Sequence, residues 1–529
     1  MSRFNIRRAR PAPASPVAGT GQRAVNHQGG AGFLRDDKSE LFLLAVANMV
    51  GHDTFYEKGG DRDDRYTALV RELAVADPEW TLGLLRWLRH GARLRTAALV
   101  GAAEFTRARL DAQAPGFSRQ VVAAVLQRPD EPGELLAYWT SRYGRNLPKP
   151  VKRGVADAAR RLYDGRALLK YDTASKGYRF GDVLELTHPS PDPAKPWQGE
   201  LFKYALDRRH HPEDAAPPAS DLLLGANREL LALPVAERRA AVTAPGGAQR
   251  LAEAGLTWEA LAGWLRGPLD AAVWEAVIPS MGSMALVRNL RNFDQAGVSD
   301  EVAEAVAKRI ADKGEVNRSR QFPFRYLAAY RHAPSLRWGH ALETALAHSL
   351  ANVPALPGRT LILVDRSGSM FDRPDERTQL NRADSAAIFG TALKVRSADA
   401  DLVEFGTGSK VVTVRRGEPV LRVLERFGNL GGTATAEAVR AHYRAHDRVV
   451  IVTDEQAGPS SWGGDPLAAV PGHVPVYTWN LAGYRTGHAP SGAAGRHTFG
   501  GLSDAAFRLI PLLEAGADAA WPWELQPRR

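Results

Sequence analysis

Cysteine is absent from all 529 residues. That removes disulfides, zinc–thiolate sites and cysteine nucleophiles, and with them the stapled scaffold of a small extracellular protein. Long apolar runs are also lacking, since none reaches the ~18 residues that span a bilayer. The N-terminus, MSRFNIRRARPAPASPVAG, is basic and rich in proline and alanine, without the apolar centre of a secretory signal. These absences point to a cytoplasmic protein with no membrane partner. Enzyme signatures are missing too: there is no G-x-x-x-x-G-K-[ST] phosphate loop, no H-E-x-x-H and no G-x-S-x-G. His210-His211, His340 and His348 have no complementary ligands, and His442 and His446 share a helix end without a third. A non-catalytic protein is expected.

What is present is apolar mass and positive charge. The hydrophobic fraction of 44% and the 12 tryptophans are ample for burial over most of the chain. The length implies two to four domains rather than one core. Net charge is +10. Between Leu84 and Lys170, 17 Lys/Arg stand against 7 Asp/Glu, an excess equal to that of the whole chain. A local field of this kind attracts polyanions, RNA or DNA above all. A solvated, arginine-rich helical surface accounts for the same count.

Three regions follow from pattern. Residues 1–25 read as a flexible basic tail. Residues 26–353 are dominated by the helical period. Val151, Val155, Ala158, Ala159 and Leu162, for example, recur on one face. Short helices between Gly/Pro turns, with no strand signal for over 250 residues, suggest an α-helical repeat array of HEAT-like type. Pro354 and Pro357-Gly358 mark a linker. Residues 354–529 then alternate strand and helix, with strands at 360–365, 400–405, 410–415, 448–453 and 474–479, which implies a doubly wound α/β domain.

The α/β region is organised around Thr360 to Met370, TLILVDRSGSM. A buried strand runs into a polar turn that puts Asp365, Ser367 and Ser369 within five residues. Thr433 follows Gly431-Gly432, and Asp454 ends a second buried strand, Arg448–Thr453. Oxygen-only ligands past the carboxyl ends of parallel strands suit a hard divalent cation, magnesium above all. D-x-S-x-S, a distal Thr and a strand-terminal Asp together resemble the metal-ion-dependent adhesion site of von Willebrand factor A domains. In that resemblance Asp365 and Asp454 lie nearest the cation. Ser367, Ser369 and Thr433 add hydroxyls, and an open position accepts an acidic group or phosphate. Arg366 either steers an anion or faces solvent.

The helical region is similar to the TROVE module of the Ro ribonucleoproteins, which join it to a von Willebrand A domain. Asn26-His27-Gln28-Gly29-Gly30 resembles the family's Asn-x-x-Gly-Gly entry. Leu169-Lys170-Tyr171, Gly177 to Leu184 and Leu186-Thr187-His188-Pro189 resemble its Lys-Tyr … Asp-Leu-Leu … His-x-x-Pro region. Ile278-Pro279 with Met284 to Leu290, and Arg318 to Leu327 with Pro323-Phe324, resemble two further elements. The His-Pro spacing is tighter than the family's, and Phe322 stands where a His is common. The resemblance implies a helical ring and a monomer that binds small structured Y-like non-coding RNA and single-stranded ends of misfolded RNA. It implies RNA quality control, with an exoribonuclease tethered through RNA. Candidate RNA contacts are Arg93, Arg95, Arg128, Arg142, Arg145, Lys149, Lys152, Arg153, Lys170, Lys176, Arg179, His188, Arg288 and Arg291. Tyr171 and Tyr178 either stack on bases or pack in the core. The rival functions are a metal-dependent protein-binding adhesion module without RNA and, less favoured, a metal-dependent nuclease.

Overall fold

The computed structural model describes residues 13–47, 51–333, 335–351, 353–372, 381–459, 466–492, 495–501, 507, 509–516 and 518–524. The chain divides into two compact units. One comprises Val70–Gln321 with Arg325–His348; the other comprises Met1–Leu69, Phe322–Phe324 and Ser349–Arg529.

The first unit is helical, with no strand among its described residues. Its helices are short and their ends are chemically marked. Asp77, Asp164, Asp221, Thr257, Asp270 and Asp312 each cap a helix by accepting a backbone N–H of its first turn. Ser299 stands at the expected N-cap of Asp300–Ala311 but makes no side-chain cap bond. Helices pack largely on neighbours close in sequence. Arg95–Asp111 meets Ser118–Val125, which meets Lys149–Leu162, and Phe180–Thr187 meets Gln198–His210. The Lys149–Leu162 helix buries Val151, Gly154, Val155, Ala158 and Ala159, which is the face its sequence period predicts. Gly154 allows the closest approach, because a Cβ there would lie 2.7 Å from Cβ of Val122.

Among its described residues the second unit has nine strands: β1 Gly19–Val25, β2 Ala31–Arg35, β3 Arg359–Asp365, β4 Asp399–Phe405, β5 Ser409–Val411, β6 Arg448–Thr453, β7 Val476–Asn480, β8 Thr486–Gly487 and β9 Arg496–Gly500. Six form one sheet in the order β5-β4-β3-β6-β7-β9, all parallel except the β4–β5 edge pair. Its central strands are apolar at nearly every position because both faces are covered. Leu361, Leu363, Val403, Phe405, Val449 and Ile451 pack with Ala438 and Val439 on one side. On the other, the Arg382–Arg396 helix comes so close that a Cβ on Gly390 would sit 2.3 Å from Cγ2 of Val364 and 3.3 Å from Cδ1 of Leu402. Gly390→Val is therefore expected to lower stability by about 1–3 kcal/mol. The check is a fall in the denaturant midpoint of this unit.

The N-terminal segment departs from expectation. Residues 13–25 are not a flexible tail: β1 pairs antiparallel with β2, and β2 with β8. Residues 1–12 lie outside the described set. The boundary drawn at Asn26 falls inside the sheet-containing unit, which takes in the chain up to Leu69. Gly19-Thr20-Gly21-Gln22-Arg23 has no apolar alternation, and its pairing is supplied by β2 rather than by local propensity. β9, RHTFG, was also hidden, because buried His497 and Thr498 break its apolar run. The strand expected over 410–415 is shorter, ending at Val411.

Candidate functional site

Strand order in the main sheet reverses direction at β3, whose parallel neighbours are β4 and β6. Such a switch opens a crevice past the carboxyl ends of the strands. Asp365 ends β3 and Asp454 follows β6. The register pairs Val364 with Val452, so both acids leave the sheet side by side.

The five sequence-predicted metal residues are brought to this edge. The Asp365 carboxylate accepts from the Ser367 amide at 2.8 Å and the Thr453 hydroxyl at 2.6 Å. The Ser369 hydroxyl donates to Asp454 at 2.7 Å and lies 3.2 Å from that of Ser367. The Leu430–Gly431 turn is tied to the same loop: Leu430 N–H donates to the Arg366 carbonyl at 2.9 Å, and Gly368 N–H to the Gly431 carbonyl at 2.5 Å. Gly431, at φ +76°, makes the turn possible. Thr433 follows directly, buried, its hydroxyl without a hydrogen-bond partner.

Both acids are fully buried. Burial and then the neighbouring Asp454 carboxylate push the Asp365 carboxyl up, and burial likewise raises Asp454. Two buried acids, bridged by hydroxyls and flanked by an orphaned threonine oxygen, form a donor set a hard divalent cation fits. Asp365, Ser367, Ser369, Thr433 and Asp454 could hold it, directly or through water. The set holds two carboxylates; among the described residues no group of three or more His, Cys, Asp or Glu is placed to hold a metal.

Arg366 neither steers an anion nor faces solvent. It is buried, donates to the carbonyls of Gly428 at 2.7 Å and Ala383 at 2.6 Å, and lies over the Phe371 ring. It braces the loop of residues 365–369 from behind. His442 and His446 do not meet: His442 bonds Ser409, and buried His446 bonds Asp401 at 2.9 Å. Sequence reasoning missed Thr453, which sits next to Asp454 and opposite Asp365. It also missed Gln456, two residues past Asp454, whose N–H donates to that acid and whose side chain accepts from His27 N–H.

In the helical unit the fourteen basic candidates separate by partner. Arg95, Arg128 and Lys176 share the carboxylates of Asp130, Glu131 and Glu134. Arg142 pairs with buried Glu104 at 3.1 Å, which also accepts from the hydroxyls of Tyr138 and Tyr143. Arg179 pairs with Asp172 at 2.7 Å. A phosphate reaching these five meets a carboxylate already in place. Arg93 is exposed at φ +63°. Lys170 is exposed, 5.3 Å over the Tyr171 ring. Tyr178 is half-buried and donates to Thr140 at 3.0 Å. His188 caps the Phe180–Thr187 helix in a left-handed conformation, its ring exposed. Arg288 and Arg291 are exposed on Ser283–Ala296, with Arg288 near enough to Arg325 to help hold that guanidinium's pKa down, after burial.

Arg145, Lys149, Lys152 and Arg153 form a compact stretch. Arg145, Lys149 and Arg153 are exposed and Lys152 half-exposed, and Arg145 lines a hollow of about 290 Å³ with Tyr178 and Asp182. The last three open the Lys149–Leu162 helix, whose first turn has no acidic residue and no side-chain cap. Cations at a helix N-terminus oppose its dipole. A bound anion relieves both the repulsion and the uncapped N–H groups.

Comparison with known proteins adds the following. Residues 251–334 match the TROVE domain family. Telomerase protein component 1 of Mus musculus and that of Rattus norvegicus are each 42% identical over 76 residues, 14% of this chain. The match spans only 3% of the length of those relatives. The crystal structure of the Deinococcus radiodurans Ro (RSR) protein shares the fold, with a TM-score of 0.61 at 19% identity. That likeness covers 91% of this chain and 100% of the other.

Proposed function

From the chain's membership of the Ro family, we propose that it is an RNA-binding protein, acting by binding rather than by catalysis. The observation that carries this reading is the TROVE match over residues 251–334. It is supported by the basic stretch from Arg145 to Arg153, where Arg145, Lys149 and Arg153 are exposed, with Asp182 and Glu185 lining the hollow beside Arg145. Arg288 and Arg291 lie within the matched segment itself and are exposed. No helix among the described residues is long and apolar enough to cross a membrane.

The finer reading rests on the resemblance. The ligands are small structured Y-like RNA and single-stranded ends of misfolded RNA. The role is RNA quality control, with an exoribonuclease brought in through the RNA. The helical unit is then a HEAT-like array. The sheet-containing unit is a von Willebrand factor A-like domain holding magnesium at Asp365, Ser367, Ser369, Thr433 and Asp454. The cation supplies charge to neutralise the buried acid pair, and the chain's hydroxyls orient around it.

The test is binding of a structured RNA with a 3′ single-stranded tail across a salt series. Each phosphate contact releases counterions, so affinity falls steeply with salt. The triple variant Lys149→Ala, Lys152→Ala, Arg153→Ala is expected to weaken binding and flatten the log–log salt slope by about 2 if these residues meet a single strand. Binding that ignores salt, or no binding, sinks the proposal.

A further inference from the structure

The six-stranded sheet ends in two unlike edges. At β9 the edge is closed. Gly492 N–H donates to the Arg496 carbonyl at 2.9 Å, and the Ser491 hydroxyl lies 2.7 Å from that of Thr498. His497, Thr498 and Phe499 are buried. The Asp37–Ala47 helix packs so close that a Cβ on Gly500 would lie 2.9 Å from Cδ2 of Leu43.

At β5 the edge is open. The register sets Val411 opposite Val403, Lys410 opposite Glu404 and Ser409 opposite Phe405. Val412 N–H donates to the Leu402 carbonyl and Gly406 N–H to the Gly408 carbonyl, each at 2.8 Å. Bonded and unbonded pairs alternate along an antiparallel ladder. Ser409 and Val411 therefore turn their backbone N–H and C=O away from β4, where no partner meets them among the described residues. Val411 is 57% exposed. Proteins blunt such an edge with charge, proline or a cover. The lysine on this one is drawn aside, its Nζ 2.9 Å from the buried Glu404 carboxylate.

Beside the strand lies a hollow of about 420 Å³, lined by Lys410, Val411, Val412, Arg415 and Arg426. Glu404, which also lines it, is taken by Lys410 and by Gly428 N–H at 2.7 Å. Glu418 accepts from Arg426 and from the Arg415 backbone N–H, each at 3.0 Å. The side chains of Arg415 and Arg416 are exposed and make no ion pair among the described residues. From Glu404 to Arg426, five Lys/Arg stand against three Glu. Charge thus favours an acidic occupant. Unpaired backbone beside an exposed valine favours a polypeptide over a nucleic acid, which needs cations alone.

We propose that β5 is a docking edge, on which an extended acidic segment of another protein adds as a further strand. Its backbone pairs with Ser409 and Val411, and its carboxylates meet Arg415 and Arg416. Main-chain bonds supply affinity in this mode and side chains supply selectivity. Neither the RNA reading nor the cation reading is needed for it.

The experiment is fluorescence anisotropy of the full chain with a labelled peptide of alternating glutamate and valine. Two further peptides are N-methylated, one on the glutamates and one on the valines. A paired strand bonds through alternate residues, so one methylated peptide should bind about tenfold more weakly and the other nearly as well as the parent. Val411→Pro removes one outward N–H at a position where an edge strand tolerates proline. It should weaken binding about fivefold or more, with the melting temperature held. Arg415→Glu with Arg416→Glu should also weaken binding and reduce its dependence on salt. The methylated peptides decide the matter even where Val411→Pro fails to fold. Equal binding of the two, or no binding of the parent, overturns the proposal. So does a single-stranded RNA oligonucleotide that displaces the peptide and binds Val411→Pro as well as wild type, which assigns this edge to nucleic acid.

Discussion

Adding Mg²⁺ is expected to raise the melting temperature of the wild-type protein and to leave that of Asp365→Asn unmoved. Asp365 and Asp454 are both fully buried, and each has its carboxyl pushed up by that burial. A carboxyl raised on folding contributes stability only while it stays protonated. The pair's contribution is complete below the ordinary aspartate range of about 4. It is lost as pH rises through the raised values. The cation-free protein therefore weakens over that window, and a divalent cation restores what is lost by supplying the opposite charge. A hundredfold excess over Kd adds about 2.7 kcal/mol. For a unit of this size that is roughly 5–10 °C. The shift should grow as pH rises through the window. Asparagine keeps the shape and an acceptor for the Ser367 amide but takes away one charge. Without Mg²⁺ it should be at least as stable as wild type at neutral pH, and no Mg²⁺ shift should follow. Scanning calorimetry of both proteins at several pH values checks this. A Mg²⁺ shift of equal size in Asp365→Asn would refute the metal assignment.

The parts of this site written in short stretches were legible in the sequence. Asp365, Ser367 and Ser369 lie within five residues, and Asp454 ends an apolar run that could only be a buried strand. The helices at Trp258–Leu265 and Asp300–Ala311 were equally readable, since their apolar period is local, as is the Thr257 cap of the first. What failed was long-range. His27 N–H reaches the Gln456 side chain, 429 positions along the chain, a contact that no local pattern announces. β1 is polar and glycine-rich, so only its partner strand makes it a strand. Charge also misled in one respect. Arg95, Arg128, Arg142, Lys176 and Arg179 look like a cationic face when counted. Most of the acids that neutralise them sit on other helices or turns, and the fold brings those together; Arg128 instead pairs with Asp130, two residues on.

Replacing Arg35 with methionine is expected to cost more than any surface change in this unit. Arg35 ends β2, and its guanidinium meets the Glu455 carboxylate at 2.5 Å. The two side chains are 2% and 0% exposed, so neither charge can turn to water. Glu455 directly follows the site's second acid, and its backbone stands at φ +63°, a conformation a glutamate rarely adopts. Removing the arginine leaves a buried carboxylate with only the Asn480 amide and its own loop for company. Breaking a buried pair in this way costs about 3–5 kcal/mol. The pair is not itself a large net gain, for Nε and Nη1 of Arg35 and Oε1 of Glu455 lack hydrogen-bond partners. Arg35→Met combined with Glu455→Leu should therefore recover most of the loss. The denaturant midpoints of the two single variants and the double variant form a cycle whose coupling term reads this directly. If the single Arg35 variant unfolds within about 0.5 kcal/mol of wild type, as a surface change would, the pair does not hold the N-terminal strand to the Asp454 loop.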